Sequence, residues 1–186
     1  MSKKIEKWEV IGSKYLIDRK PWLTIREDKL RMPNGSIMES YYVYEYPDWV
    51  NTIAITKDGE YLMVQQYRHA IGEINYELCA GVCDDEDDSP MISAQRELLE
   101  ETGYAGGEWS HWMTNTANPG THQNKTHCYL AVGVEKVADQ SLDKTEDIAV
   151  HLMSRADIVA LLESDAIRQS LHAAALWKYI AKTNEK

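Results

Sequence analysis

Residues 89–103 leave the chain little freedom of local structure. Ser89-Pro90 offers an N-cap residue followed by proline at the first helical position, and Gly103 stands where a helix ends in a left-handed residue. Between them Met91, Ala94 and Leu98 recur at helical spacing, so one side of this helix must meet a core. Glu97, Glu100 and Glu101 stand at i, i+3 and i+4, and at about 100° per residue they share one face that borders the apolar stripe. Like charges so arranged destabilise a helix by about a few tenths of a kcal/mol per pair, and Arg96, four residues before Glu100, offsets only part of that. A divalent cation among the carboxylates relieves the rest, and magnesium favours hard carboxylate oxygens. Taken without its surroundings, the same triplet also fits a solvated acidic helix face.

Around this helix the pattern is of strands, then more helices. Residues 22–25 and 41–46 are rich in aromatic and β-branched side chains, with Pro33-Asn34-Gly35 as turn chemistry between them. Residues 51–56 and 60–66 flank Lys57-Asp58-Gly59, a hairpin signal. Strand character returns at 128–134 and 148–153. Ser154 then caps a helix with Ile158, Leu161 and Leu162 on one side, and a last helix is predicted over 167–181. Strands mixed with helices predict an α/β or α+β layered domain, and residues 1–46 read as a small sheet of their own ahead of Pro47-Asp48.

With 186 residues, 44% of them hydrophobic, the chain can bury one sizeable core. Its 30 acidic against 20 basic residues give a formal charge of -10, which repels phosphate backbones and argues against nucleic-acid binding. A small phosphate-bearing ligand remains compatible, because divalent cations reverse the local sign. No stretch approaches the roughly 18 apolar residues of a membrane span, and the N-terminus lacks a signal-peptide core. The expectation is a cytoplasmic protein without membrane partners. Cys79, Cys83 and Cys128 lack a zinc spacing and are expected as free thiols. The acidic run 84–88 reads as a solvated loop near the glutamate helix. His122 and His127, flanking Lys125, read as surface histidines, with a phosphate-contacting loop as the alternative.

The residues around the three glutamates narrow the reading further. Arg96-Glu97-Leu98-Leu99-Glu100-Glu101-Thr102-Gly103-Tyr104 resembles the second half of the Nudix box. Upstream, Ala80-Gly81 and Asp88 resemble its first half, with one extra residue in the loop and an aspartate in place of glutamate. More of the chain resembles the ADP-ribose pyrophosphatase or nucleoside-diphosphate-sugar branch of that family. Val64-Gln65-Gln66-Tyr67-Arg68 is similar to the strand whose last arginine holds substrate phosphates. Tyr76-Glu77-Leu78-Cys79-Ala80-Gly81 is similar to the Glu-Leu-Pro-Ala-Gly segment, with Cys79 for proline. Asn118-Pro119-Gly120 resembles the turn after the box, and Glu146-Asp147-Ile148 the late acidic segment.

The resemblance implies a Nudix α/β/α sandwich with a mixed sheet over 47–186 and a small antiparallel sheet over 1–46 that builds a homodimer and part of the nucleotide pocket. It implies Mg2+, with Mn2+ as a substitute, held by Glu97, Glu100, Glu101 and the main-chain carbonyl of Ala80. Glu100, Glu101 and Glu146 are the implied catalytic carboxylates. Which of them takes the water's proton stays open between Glu100 and Glu146, since relatives place an acid where this chain has Lys144. Arg68 would grip the diphosphate, Glu77 would contact base or ribose or else pair with a cation, and Trp22 and Tyr41 would offer stacking surfaces. The implied reaction splits the diphosphate of ADP-ribose or another nucleotide sugar into a nucleoside monophosphate and a sugar phosphate. The alternatives are a Nudix-fold sensor that binds without cleaving and a Nudix nucleoside-triphosphate pyrophosphatase.

Overall fold

Two neighbouring strands, β4 (Trp49–Thr56) and β5 (Tyr61–Arg68), are buried on both faces, and their side chains divide by the period of 2. Ile53, Ile55, Tyr61 and Met63 point to one side, where they pack with Ile158, Leu162, Leu176 and Ile180. Ala54, Leu62 and Val64 point to the other, where they pack with Leu98, Ala131, Val134 and Ile148. The structure of the chain is a computed structural model, and it describes residues 4–183.

By its internal contacts the chain forms two units, residues Met1–Pro47 with Asn118–Asn124, and Asp48–Ala117 with Lys125–Lys186. In the first, β1 (Glu9–Arg19), β2 (Leu23–Arg31) and β3 (Ile37–Glu45) make an antiparallel sheet in the order β1-β2-β3. The Pro33-Asn34-Gly35 turn joins β2 to β3, with Gly35 at φ 84°. Segment Asn118–Asn124 joins this unit through the Tyr44 amide, which donates to Thr121 O at 2.8 Å, and the Tyr41 hydroxyl, which donates to Gly120 O at 2.5 Å. Asn118-Pro119-Gly120 is a turn, closed by the His122 amide on Asn118 O at 2.8 Å.

In the second unit the sheet also holds β6 (Glu73–Glu77), β7 (Cys79–Val82), β8 (Tyr104–Ala105), β9 (Glu108–Asn115), β10 (Thr126–Lys136) and β11 (Ile148–Met153). Its path runs β11-β5-β4-β10-β8, with β6 on β5, β7 on β4 and β9 on β10; β4 and β10 are parallel, the other pairs antiparallel. Helix α1 (Pro90–Thr102) covers one face, while α2 (Arg155–Glu163) and α3 (Ser170–Thr183) cover the other. This is the expected mixed α/β sandwich with a separate small antiparallel sheet. Ser154 opens α2 with a reciprocal capping box to Asp157. Ser89 takes the N-cap position of α1 in extended conformation, but its side chain makes no capping bond. Helix α3 begins at Ser170, three residues later than predicted. The three cysteines are free thiols, two of them buried. No described helix is long and apolar enough to cross a membrane.

Candidate active site

Helix α1 buries Ser93, Ala94, Leu98, Glu101 and Thr102, so the acidic ridge dips into the packed side of the helix at its C-terminal end. Glu101 is 4% exposed, and one of its carboxylate oxygens accepts the Ala80 amide at 3.1 Å. The Cys79 thiol also bonds to this carboxylate. Burial outweighs both and pushes the Glu101 carboxyl up to about 7, with Glu97 and Glu146 adding repulsion. Glu97 is raised by burial too, against the pull of Arg96, with Glu100 and Glu146 again opposing its charge. Glu100, at the outer edge of the ridge, is 44% exposed in its side chain.

Arg96 organises the upstream half of this surface. Its guanidinium reaches Glu97 and Glu100 at 3.0 Å, Asp87 at 3.2 Å and the carbonyl of Val82 at 3.3 Å. The loop acid that pairs with Arg96 is Asp87, whose side chain is only 13% exposed, while Asp88, the acid matched to the box, is exposed. The acidic loop is only partly solvated for the same reason. Among the described residues no three metal-ligating side chains converge on a point. Arg96 draws Glu97 and Glu100 to itself while Glu101 is bonded to β7.

The donor set nonetheless suits a hard divalent cation. Two carboxylates shielded from water, Glu97 and Glu101, lie against the backbone of Ala80-Gly81, and Glu100 stands on the same helix ridge at its exposed edge. A Cβ at Gly81 would collide with the Glu97 carboxylate, so the glycine is what lets that acid lie against the main chain. Ala80-Gly81 thus meets Glu101 and Glu97 directly, while Glu100 is held by Arg96.

Arg68 and Glu77 do meet, at the end of β5 and the end of β6. The guanidinium donates twice to the carboxylate, at 2.7 and 2.6 Å, in the forked geometry that favours arginine. Glu77 is buried to 3% side-chain exposure and Arg68 stays 47% exposed. The glutamate therefore aims the guanidinium from beneath, and of its two expected roles it takes the pairing one. Glu101 lies near enough to add to the raised pKa of Arg68. Behind the pair, buried His172 accepts the Leu78 amide on Nδ1 at 3.3 Å, and burial holds its imidazole neutral, down to about 4.

Glu146 lies between β10 and β11, in an exposed turn where its carboxylate accepts the Asp143 amide at 2.9 Å. Its charge is felt by both Glu97 and Glu101. Trp22 and Tyr41 belong to the N-terminal unit. Trp22 is 61% exposed, and the Tyr41 ring meets Trp8 edge-on at 6.4 Å. His122 lies against the rings of Tyr44 and Tyr46 in that same unit, and His127 pairs with Asp48 at 3.0 Å. Asp87, the Cys79 thiol, His172 and Gln140 were not legible as site residues. Only Asp87 left a trace in the sequence, since five residues, 82–86, separate it from Gly81, the usual spacing of the box.

A mixed sheet between helices thus carries an acidic ridge on one helix, with Glu101 close to the forked Arg68–Glu77 pair at the end of β5. Residues 46–174 match the NUDIX domain and residues 8–44 the nucleoside diphosphate sugar hydrolase N-terminal domain. The chain belongs to the NUDIX family. It is 35% identical over 113 residues to the ADP-ribose pyrophosphatase of Mycobacterium tuberculosis (strain ATCC 25618 / H37Rv), across 61% of this chain and 54% of that one. It is 27% identical over 150 residues to the ADP-ribose pyrophosphatase of Bacillus subtilis (strain 168), across 80% of each. The chain thus spans about half the length of the mycobacterial relative. The crystal structure of an ADP compounds hydrolase shares the fold at a TM-score of 0.83 and 19% identity, covering 99% of both chains.

Proposed function

We propose that the chain hydrolyses the diphosphate bond of a nucleoside diphosphate linked to another moiety, with ADP-ribose or a similar nucleotide sugar as substrate and Mg2+ as the metal. The observation that carries this reading is the ridge of Glu97, Glu100 and Glu101, two of whose acids, Glu97 and Glu101, are packed against the Ala80-Gly81 backbone. Burying Glu101 raises its pKa to about 7, a cost that a fold without use for the charge would avoid. Two ADP-ribose pyrophosphatases among the relatives support the substrate class.

Glu97, Glu100, Glu101 and the carbonyl of Ala80 are the residues that would hold the metal. When bound, such an ion neutralises diphosphate charge and lowers the pKa of a coordinated water. Arg68, already aimed by Glu77, binds the diphosphate through its exposed edge. Arg96 offsets the mutual repulsion of Glu97 and Glu100, and keeps Asp87 and the Val82 carbonyl as partners when they turn to a cation. Glu146 receives the proton of the attacking water from the loop, with Glu100 as the rival base. Trp22 and Tyr41 serve base stacking, and the sheet of residues 8–44 forms a homodimer.

A panel of ADP-ribose, other nucleotide sugars and nucleoside triphosphates, incubated with Mg2+ and read by product identity, tests the assignment. Nucleoside monophosphate and sugar phosphate are expected. Release of inorganic pyrophosphate from a triphosphate would redirect it to the triphosphate class, and tight binding with no product would make the chain a sensor.

A further inference from the structure

Residues 137–147, between β10 and β11, form no helix or strand, yet they are fastened to the C-terminal end of α1. A helix ends with carbonyls that lack intrahelical donors. The carbonyl of Glu100 accepts the Ser141 amide at 2.8 Å, and that of Gly103 accepts the amides of Val137 and Ala138 at 2.8 and 3.1 Å. The carbonyl of Glu101 is met differently, by the side-chain Nε2 of Gln140 at 2.7 Å. The same nitrogen donates to the carbonyl of Ile148 at 3.1 Å. An amide NH2 has two hydrogens, so both bonds form at once.

One side chain therefore spans the two elements that carry the acids. Its first bond is to the residue bearing the buried carboxylate of the ridge. Its second is to the residue two positions after Glu146, where the loop enters β11. The rising arm of the loop is held by backbone amides, which any sequence provides. Leu142 packs on the core cluster around Leu98 and Ile148. The descending arm, 143–147, turns on itself through the Glu146 amide on Asp143 O at 2.9 Å, and Gln140 is what ties its end to α1.

We propose that Gln140 is a positioning residue, whose side-chain amide bridges the carbonyls of Glu101 and Ile148 and so fixes Glu146 relative to the glutamate ridge. The catalytic part of this rests on the hydrolase reading above. Gln140 touches no substrate; it acts by holding Glu146. Methionine at 140 keeps length and loses both donors, whereas lysine keeps a donor group on a stem of comparable reach.

The test compares wild type, Gln140→Met, Gln140→Lys, Glu146→Gln and the Met/Gln double variant at saturating Mg2+ with ADP-ribose, alongside amide hydrogen exchange. Gln140→Met is expected to lower kcat about tenfold, a modest misplacement, with KM and melting temperature little changed, and to speed exchange across 143–147. Gln140→Lys recovers most of the rate. In the Glu146→Gln background the methionine substitution adds no further loss. Wild-type kcat in Gln140→Met, multiplied losses in the double variant, or full activity in Glu146→Gln each overturn the proposal. If the wild type cleaves no diphosphate, the hydrolase reading fails by itself and exchange decides here: unchanged protection of 143–147 refutes the clamp, and faster exchange upholds it.

Discussion

The two sheets of this chain use similar residues to opposite ends. In the large sheet, β4 and β5 sink both faces into side-chain clusters, and Ile53, Leu62, Met63 and Val64 have no exposed surface. In the small one, β1 is exposed along nearly its whole length, and Val10, Tyr15, Leu16, Trp22, Leu23 and Tyr42 all lie open. That sheet's polar contacts include cross-strand ion pairs such as Lys14 with Glu27 at 2.7 Å, Lys29 with Glu39 at 2.7 Å, and Arg26 with Glu45, and a pair within β2 between Arg26 and Asp28. An exposed pair such as Lys29 with Glu39 contributes about 1 kcal/mol or less. Large apolar side chains left open in such number are a common mark of an interaction surface. On the function proposed above, the comparison makes one sheet the platform for chemistry and the other the candidate surface for association.

The sharpest way to break that contrast acts on the platform's chemistry alone. Glu101→Gln keeps the acceptor for the Ala80 amide and removes the buried charge. It is expected to cut kcat by about 100-fold or more while the melting temperature holds or rises; near-normal turnover at saturating Mg2+ would remove Glu101 from the mechanism. Next in size is Leu98→Ala, which empties a fully buried site between α1 and the sheet and should cost about 2–5 kcal/mol in urea unfolding. A loss under 1 kcal/mol would mean that α1 is not seated as described.

His172 gives a smaller effect with a definite sign. Its folded pKa, about 4, lies below the ordinary value near 6.5, so the unfolded chain binds the extra proton between those limits. Stability from this group is present above pH 6.5 and lost as pH falls toward 4, by about 3 kcal/mol at most. Glu101, raised to about 7, works the opposite way between pH 7 and 4.5, so the wild-type curve blends the two. Subtracting His172→Asn from wild type, in chelator, isolates the histidine; a pH-independent difference would contradict it. Smallest in energy is Leu16→Ser on the open sheet, expected to change monomer stability by about 0.5 kcal/mol or less. Its consequence should appear in sedimentation, as a shift from dimer toward monomer at micromolar concentration, and a wild type that already sediments as a monomer would count against the association surface.

What was readable in advance followed local chemistry. Helix α1 runs Pro90–Thr102 as its Ser-Pro start and glycine end predict, because both signals act within one turn. The Lys57-Asp58-Gly59 hairpin follows from Gly59 at φ 82°. Strands β1, β6 and β9 gave no such notice: Glu9–Arg19 lacks alternation, and Glu73–Glu77 and Glu108–Asn115 are largely polar and owe their conformation to neighbours in the sheet. Asp87 rather than Asp88 meets Arg96; the extra loop residue leaves the spacing from Gly81 pointing to Asp87 and the spacing from Arg96 to Asp88. The Arg68–Glu77 fork and the Gln140 bridge join residues through tertiary contacts that no short pattern encodes.

Gly103 joins two requirements at a single position. It ends α1 at φ 75°, a region that side chains other than glycine's rarely occupy. A Cβ there would also strike the carbonyl of Ala138. Alanine at 103 would thus unseat the helix end and lift the following loop in one step, and no repair confined to either segment would restore both. Any drift in the sequence of that loop has to respect a neighbour 35 positions away, which makes helix and loop a single inherited part.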